Sequence, residues 1–247
     1  MMATAEPMLR EWRATGPYLP TAASKNGLIA ETRLFLQAYS TSHSIQQARD
    51  DLINSLLQQR SRTTRAVVTR NILSRLTRWN PPAWVLDDLV LASQQEDLSR
   101  LRSLLLLHHA RQETLLYDVV QQLIVPRWQG GELQVGRDDA LAFLSEAATR
   151  QPEVGSWSYE TRIKIAGNLL TTLRDYGLLS GKQTKRIVEP AVDQQAVGHL
   201  IRLLEEEGIP EVRIAEHSDW RIWLILSDRV RPYLMTNEGR LGNNGTA

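Results

Sequence analysis

The stretch around which this sequence is organised is Ser61-Arg-Thr-Thr-Arg-Ala-Val-Val-Thr-Arg-Asn-Ile-Leu-Ser-Arg-Leu76, and it recurs in outline 97 residues later as Ser158-Tyr-Glu-Thr-Arg-Ile-Lys-Ile-Ala-Gly-Asn-Leu-Leu-Thr-Thr-Leu173. The two stretches align without a gap and share six identical positions. In each, apolar side chains recur at helical spacing, which predicts a helix with one apolar stripe. Ser61 and Ser158 stand where N-cap residues are expected, because a serine hydroxyl can accept from the free N–H groups of a first helical turn. The sequence therefore predicts two related helical units.

An arginine occupies the same first-turn position of both stretches, as Arg65 and Arg162. A long side chain at this position can reach past the edge of the core toward a phosphate or a carboxylate. It can equally lie along the core edge as a structural arginine with its charged end in water. The sequence leaves both interpretations open.

Positive charge concentrates on both repeated stretches, although the net charge of the whole chain is only +1. Residues 52–86 contain six arginines and no acid, and residues 161–186 contain six basic residues against one acid. Residues 193–219 contain seven acids against two arginines. Positive potential of this kind attracts polyanions, and the alternative is a solvated helix face.

The composition predicts a mainly α protein. The chain has 247 residues, of which 42% are hydrophobic, and most periodic segments exceed ten residues. It contains no cysteine, which excludes disulfides, thiolate metal sites and a cysteine nucleophile and fits a reducing compartment. The longest apolar runs are far shorter than the roughly 20 residues of a membrane helix. We therefore expect a soluble cytoplasmic protein.

Glycine and proline positions divide the chain into four predicted segments. These are an N-terminal arm (1–27), an N-terminal helical domain (28–128), a C-terminal helical domain with a winged-helix-like segment (129–236) and a disordered tail (237–247). Trp12 and Tyr18 are candidates to anchor the arm. Further helices are predicted at 28–39, 45–57, 83–91, 97–109, 113–125 (ending at Pro126), 137–148, 194–207 and 227–235, while the short apolar runs 212–214 and 222–226 are compatible with strand or helix.

A β-hairpin is predicted directly after the second repeated helix. Leu178-Leu179 and Ile187-Val188 flank a basic tip that contains glycine. A helix, a turn, a capped helix and a basic hairpin, in that order, form the layout of a winged helix, in which the helix enters a groove and the wing contacts phosphate. The three helices that lead to Trp79 are likewise compatible with a helix-turn-helix arrangement.

No sequence motif indicates catalysis. The chain has no glycine-rich phosphate loop, no Gly-x-Ser-x-Gly elbow and no His-Glu-x-x-His pattern. Its paired acids are adjacent, and neighbouring residues of a helix point about 100° apart, so they cannot hold one metal ion together. His108 and His109 are also adjacent, without a third ligand at metal-site spacing. We expect no enzymatic activity, no cofactor and no metal.

Several ordered motifs resemble the BrxA family, the small helical component of bacterial BREX (bacteriophage exclusion) phage-defence systems. They are Ala23-Ser-Lys-Asn-Gly-Leu-Ile-Ala-Glu31, the Ser61-x-x-Thr-Arg helix ending in Arg75-Leu76, Glu160-Thr-Arg-Ile-Lys with Leu173-Arg-Asp-Tyr-Gly-Leu-Leu179, Glu216-His-Ser-Asp-Trp-Arg-Ile-Trp223 and Arg229-Val-Arg-Pro-Tyr233. The resemblance covers about residues 22–236. It implies a mostly helical protein, similar in part to the NusB antitermination fold, with winged-helix character and DNA binding without known enzymatic activity. It also implies partners encoded alongside: a site-specific adenine methyltransferase, ATPases and a phosphatase-like protein.

Two functional hypotheses follow. In the first, the protein binds double-stranded DNA through backbone phosphates. The side chains predicted to do so are Arg62, Arg65, Arg70, Arg162, Lys164, Lys182, Lys185 and Arg186. In the second, the protein is a scaffold within the defence complex, and the arginines pair with acids of this chain or of a partner. RNA binding is a weaker third possibility that rests on fold analogy alone.

Overall fold

The structure is a computed structural model that describes residues 12–20 and 26–241. It is mainly helical, as predicted, with one small antiparallel sheet. The α-helices are α1 (Ile29–Ser42), α2 (Ile45–Asp51), α3 (Arg62–Leu76), α4 (Ala83–Ser93), α5 (Ser99–Gln112), α6 (Thr114–Val119), α7 (Val125–Gln129), α8 (Arg137–Arg150), α9 (Pro152–Gly155), α10 (Tyr159–Asp175), α11 (Gln194–Glu206), α12 (Glu211–Ile214) and α13 (Ser227–Leu241). Two π-helical turns, Leu52–Leu56 and Val120–Ile124, follow α2 and α6, and a 3-10 helix spans Ser218–Trp223.

Several helix boundaries differ from the prediction, among them the end of α1 at Ser42 rather than residue 39 and the end of α5 at Gln112 rather than residue 109. The helical run that was expected to end at Pro126 continues through it. Pro126 directly follows a π-helical turn, whose last hydrogen bond joins the Val125 amide to the Val120 carbonyl. Of the two apolar runs that were compatible with strand or helix, the first lies within α12, and the 3-10 helix covers the start of the second. Helix α13 extends to Leu241, into the segment predicted to be a disordered tail. Residues 242–247 lie outside the described part of the chain.

The two predicted serine caps have different outcomes. Ser158 caps α10, because its hydroxyl accepts from the Thr161 amide at 3.2 Å. Ser61 occupies the N-cap position of α3 with an extended backbone, but its side chain makes no capping hydrogen bond. The prediction for Ser61 was therefore right about the boundary and wrong about the bond.

The predicted hairpin is present and forms part of a three-stranded sheet. Its strands are β2 (Leu179–Ser180) and β3 (Lys185–Ile187), and β1 (Gln134–Val135) pairs with the other edge of β3 to give the order β1-β3-β2. Gln134 lies opposite Arg186, and Leu179 lies opposite Ile187. Gly181 turns the chain with φ 91°, where a side chain would clash with the Thr184 carbonyl. Strand β1 was not predicted, because two residues carry no periodicity.

Helix α5 is the centre of the fold. It contacts α3, α4, α6, α11 and the 3-10 helix, and its residues from Ser103 to Arg111 are all buried. One continuous apolar core extends from Tyr18 to Val230 around it. The division of the chain near residue 128 stays a prediction.

The described part of the N-terminal arm lies against this core, anchored as predicted by its two aromatic residues. Trp12 packs against Trp79 with ring centroids 5.4 Å apart, and its amide donates to Glu207 at 2.9 Å. The Tyr18 hydroxyl donates to Asp118 at 2.7 Å. No helix within residues 12–20 and 26–241 is long and apolar enough to cross a membrane.

Candidate nucleic-acid interface

Helix α10 presents one of its two predicted contact residues to solvent. Lys164 is exposed. Arg162 is half-buried, and its Nη2 donates to the Gly155 carbonyl at 3.1 Å. Arg162 therefore ties the first turn of α10 to the end of α9. Tyr159, the first residue of α10, is 67% exposed, which is unusual for an aromatic side chain.

The basic hairpin directs its cations to opposite faces. Lys182 and Arg186 are exposed, whereas Lys185 is buried and its Nζ donates to the Lys182 carbonyl at 3.0 Å. Burial lowers the pKa of Lys185, and the nearby charges of Arg174 and Arg137 lower it further. The alternation of a strand could have shown this in advance: Lys185 must share a face with Ile187, which is buried, while Arg186 points away.

Helix α3 separates the three arginines predicted on it. Arg62 and Arg70 are exposed. Arg65 turns inward, where its Nε donates to the Ile53 carbonyl at 2.5 Å and its Nη1 to the Gln59 carbonyl at 2.7 Å. These carbonyls lie in and after the π-helical turn that precedes α3, so the Arg65 guanidinium holds that turn against the first turn of α3.

In both stretches the repeated arginine donates to a main-chain carbonyl of the segment before the helix. Arg65 donates to a carbonyl six residues earlier, and Arg162 donates to one seven residues earlier. Each guanidinium replaces hydrogen bonds that the chain cannot make where it turns into the helix. In both residues the guanidinium donates to main-chain carbonyls of this chain instead of ending in water.

The two repeated helices meet at their C-terminal ends. Arg75 of α3 and Tyr176, which follows α10, both donate to the Gly27 carbonyl, at 3.3 and 3.1 Å. The Tyr176 hydroxyl also lies 3.1 Å from Nδ1 of His109 in α5. Because a helix rises 1.5 Å per residue, this junction is about 20 Å along each helix from its basic first turn. The two basic segments are therefore joined through their remote ends.

Two buried polar clusters were not predicted from the sequence. Arg111 of α5 forms ion pairs with both Glu207 and Asp219, and all three side chains are at most 5% exposed. Burial raises the pKa of Glu207, which Arg111 partly offsets. Arg111 lies about a hundred positions before both acids, so no local sequence signal indicates the pairing.

The second cluster links α4, α5 and α11 through two histidines. His199 Nδ1 lies 2.7 Å from an Asp88 carboxylate oxygen, and its Nε2 lies 2.9 Å from His108 Nε2. One histidine must donate and the other accept in that contact. Burial lowers the pKa of both, most strongly for His108. Among the described residues, no group of three His, Cys, Asp or Glu side chains could hold a metal ion.

The structure therefore defines a mainly helical protein with a small three-stranded sheet, whose hairpin and neighbouring helix expose basic side chains. The sequence identifies it further: the chain belongs to the BrxA family, whose model matches residues 16–203. That family is associated with BREX systems, so the protein is a BREX phage-defence component.

Comparison with solved structures gives one further similarity. The crystal structure of an uncharacterized protein from Magnetospirillum magneticum matches with a TM-score of 0.61 at 17% sequence identity, over 78% of this chain and 97% of that chain. At this identity the likeness concerns the fold alone. The comparison with curated proteins gave no match.

Proposed function

We propose that the protein is a non-enzymatic, double-stranded-DNA-binding component of a BREX system, and that α10 and the β2–β3 hairpin contact the DNA backbone. The observation that carries the proposal is the order α7, β1, α8, α9, α10, β2, β3, in which the strand before α8 closes the sheet with the hairpin. This order supports a winged helix, with α10 as the groove-binding helix and residues 181–184 as the tip of the wing.

The exposed charges support the same assignment. Lys164, Lys182 and Arg186 project to solvent from α10 and the hairpin, where a polyanion could reach them. Tyr159, exposed at the start of α10, adds an aromatic side chain with a hydroxyl that can bond to a sugar or phosphate oxygen. Arg65, Arg162 and Lys185 are left out of the proposed contact set, because their cationic groups already bond to main-chain carbonyls.

The test is a salt titration of binding to a random-sequence DNA duplex, followed by fluorescence anisotropy. Log affinity falls with log salt by about 0.9 per phosphate neutralised, so the combined variant K164Q/K182Q/R186Q should have a slope shallower by about 2 to 3. The matched control is R213Q/R221Q/R231Q, which removes the same charge from exposed positions after α11. Its slope should equal that of the wild type.

Single variants of the hairpin sharpen the test. K182Q and R186Q should each lower the slope by about 1, whereas K185Q should change it by less than half as much, because Lys185 faces inward. A wild-type DNA affinity that does not depend on salt concentration, or equal salt slopes for the two triple variants, would contradict the proposal.

A scaffold role within the BREX complex is the second candidate. It is favoured by the internal bonds of Arg65, Arg162 and Lys185, which show that part of the basic sequence serves this chain's own fold. It predicts no DNA retention at physiological salt and stable co-purification with the methyltransferase, ATPases or phosphatase-like protein encoded alongside. Partial similarity to the NusB fold, which the family resemblance implies, stays a prediction.

A further inference from the structure

A groove of about 540 Å³ runs along α3, on the side that faces α2 and the π-helical turn after it. The residues that line it are Arg49, Ile53, Ala66, Thr69, Arg70, Leu73, Ser74, Thr77 and Arg78. It belongs to the N-terminal helices, so it is made of other residues than the α10 and hairpin surface. Its volume is in the range of small-molecule sites, about 300 to 1,000 Å³.

Side-chain size along one face of α3 creates the groove. Ala66, Arg70, Leu73 and Thr77 recur at helical spacing, and the small residues among them leave room between the helix and Ile53. Arg65 holds the main chain of that opposite wall through its bond to the Ile53 carbonyl. The floor of the groove, formed by Ile53, Ala66 and Leu73, is therefore apolar. The two walls of the groove are joined by a hydrogen bond that does not depend on a ligand.

Three guanidinium groups surround this floor. Arg49, Arg70 and Arg78 are exposed, and no carboxylate is among the described side chains that line the groove. A guanidinium presents N–H groups in a planar fork that matches two oxygens of a phosphate. Cations around an apolar floor favour a ligand that is anionic at one end and apolar at the other.

We propose that this groove binds a nucleotide, with its phosphates on Arg49, Arg70 and Arg78 and its base or sugar on the floor formed by Ile53, Ala66 and Leu73. Two sources share this chemistry: a free nucleoside phosphate, or a nucleotide of the DNA itself.

The experiment is isothermal titration of the full-length protein with ATP, AMP and inorganic phosphate as probes. ATP and AMP should bind, and inorganic phosphate should bind at least tenfold more weakly, because it cannot use the apolar floor. R70Q/R78Q should weaken ATP binding at least tenfold. The control R213Q/R221Q removes two exposed arginines elsewhere and should bind as the wild type does.

The K164Q/K182Q/R186Q variant should retain nucleotide binding, which separates this site from the proposed DNA surface. If a short DNA duplex displaces bound AMP, the ligand is a nucleotide of nucleic acid, and if AMP stays bound, it is a free nucleotide. Absence of nucleotide binding, equal binding of phosphate and nucleotide, or an R70Q/R78Q variant that binds normally would overturn the proposal.

Discussion

Replacing Glu113 by glutamine should make the protein more stable at alkaline pH. Glu113 lies between α5 and α6, and burial raises its pKa from 4.5 to about 7, against the opposing effect of Arg75. The folded protein therefore holds this proton more tightly than the unfolded chain. The stability that this provides is fully present below pH 4.5 and is lost as the pH rises through 7.

The size of the effect follows from the two pKa values. Each unit of difference corresponds to about 1.4 kcal/mol, so the shift from 4.5 to about 7 amounts to about 3 kcal/mol at pH 8. Partial exposure of Glu113 to solvent lowers the expected value to about 1 to 3 kcal/mol. Glutamine has nearly the same shape and cannot ionise, so E113Q should gain this amount relative to the wild type between pH 4.5 and pH 8.

Urea unfolding, followed by tryptophan fluorescence, measures the free energy of unfolding of both proteins across that pH range. Subtracting the wild-type free energy of unfolding from that of E113Q removes the contribution of every other titrating group. E153Q provides the control, because it removes one negative charge from an exposed position of α9. A difference for E113Q that stays constant between pH 4.5 and pH 8 would refute the reasoning.

Two further predictions concern the buried polar clusters. R111M removes the arginine that pairs with the buried Glu207 and Asp219, and it should lower the free energy of unfolding by about 3 to 5 kcal/mol. R150M breaks only an exposed pair with Glu146 and should lower it by about 0 to 1 kcal/mol. Urea unfolding of both variants measures the two losses, and equal losses would contradict the prediction. Burial lowers the pKa values of His108 and His199 in the folded protein. The wild type should therefore lose stability as the pH falls below about 6.5, because the two histidines become protonated in the unfolded chain before they do in the folded protein. H108Q/H199Q should show a flatter dependence between pH 6.5 and 5 by the same method, and an unchanged slope would show that the histidines are not the source.

The predicted helices could be read from the sequence, because helix formation depends on local periodicity and capping. Helix α10 is an example: Ser158 caps it, and Gly177 follows it with φ 87°, the left-handed conformation that ends a helix. The hairpin could also be predicted from a local signal, because its apolar pairs and its glycine are only a few residues apart. Strand β1 was missed because its pairing with β3 spans about fifty residues and adds only two positions.

The candidate site was predictable only in part. Composition indicated which segments are basic, and the ordered motifs indicated the family, because both properties belong to the chain itself. The direction of each cation depends on what surrounds it: Arg186 faces solvent, whereas Lys185, one residue earlier, faces the core. For Arg65 and Arg162, the nearby carbonyls determine which hydrogen bonds each guanidinium makes.

The sequence by itself determined the helical class, the hairpin and the family, since all three arise from short-range patterns and from the order of motifs along the chain. The tertiary structure alone decided which basic side chains remain available to a ligand, and it joined Arg111 to Asp219 and His108 to His199. The physical reason is that burial and long-range pairing depend on how distant segments pack around α5, and no local pattern in the chain encodes that packing.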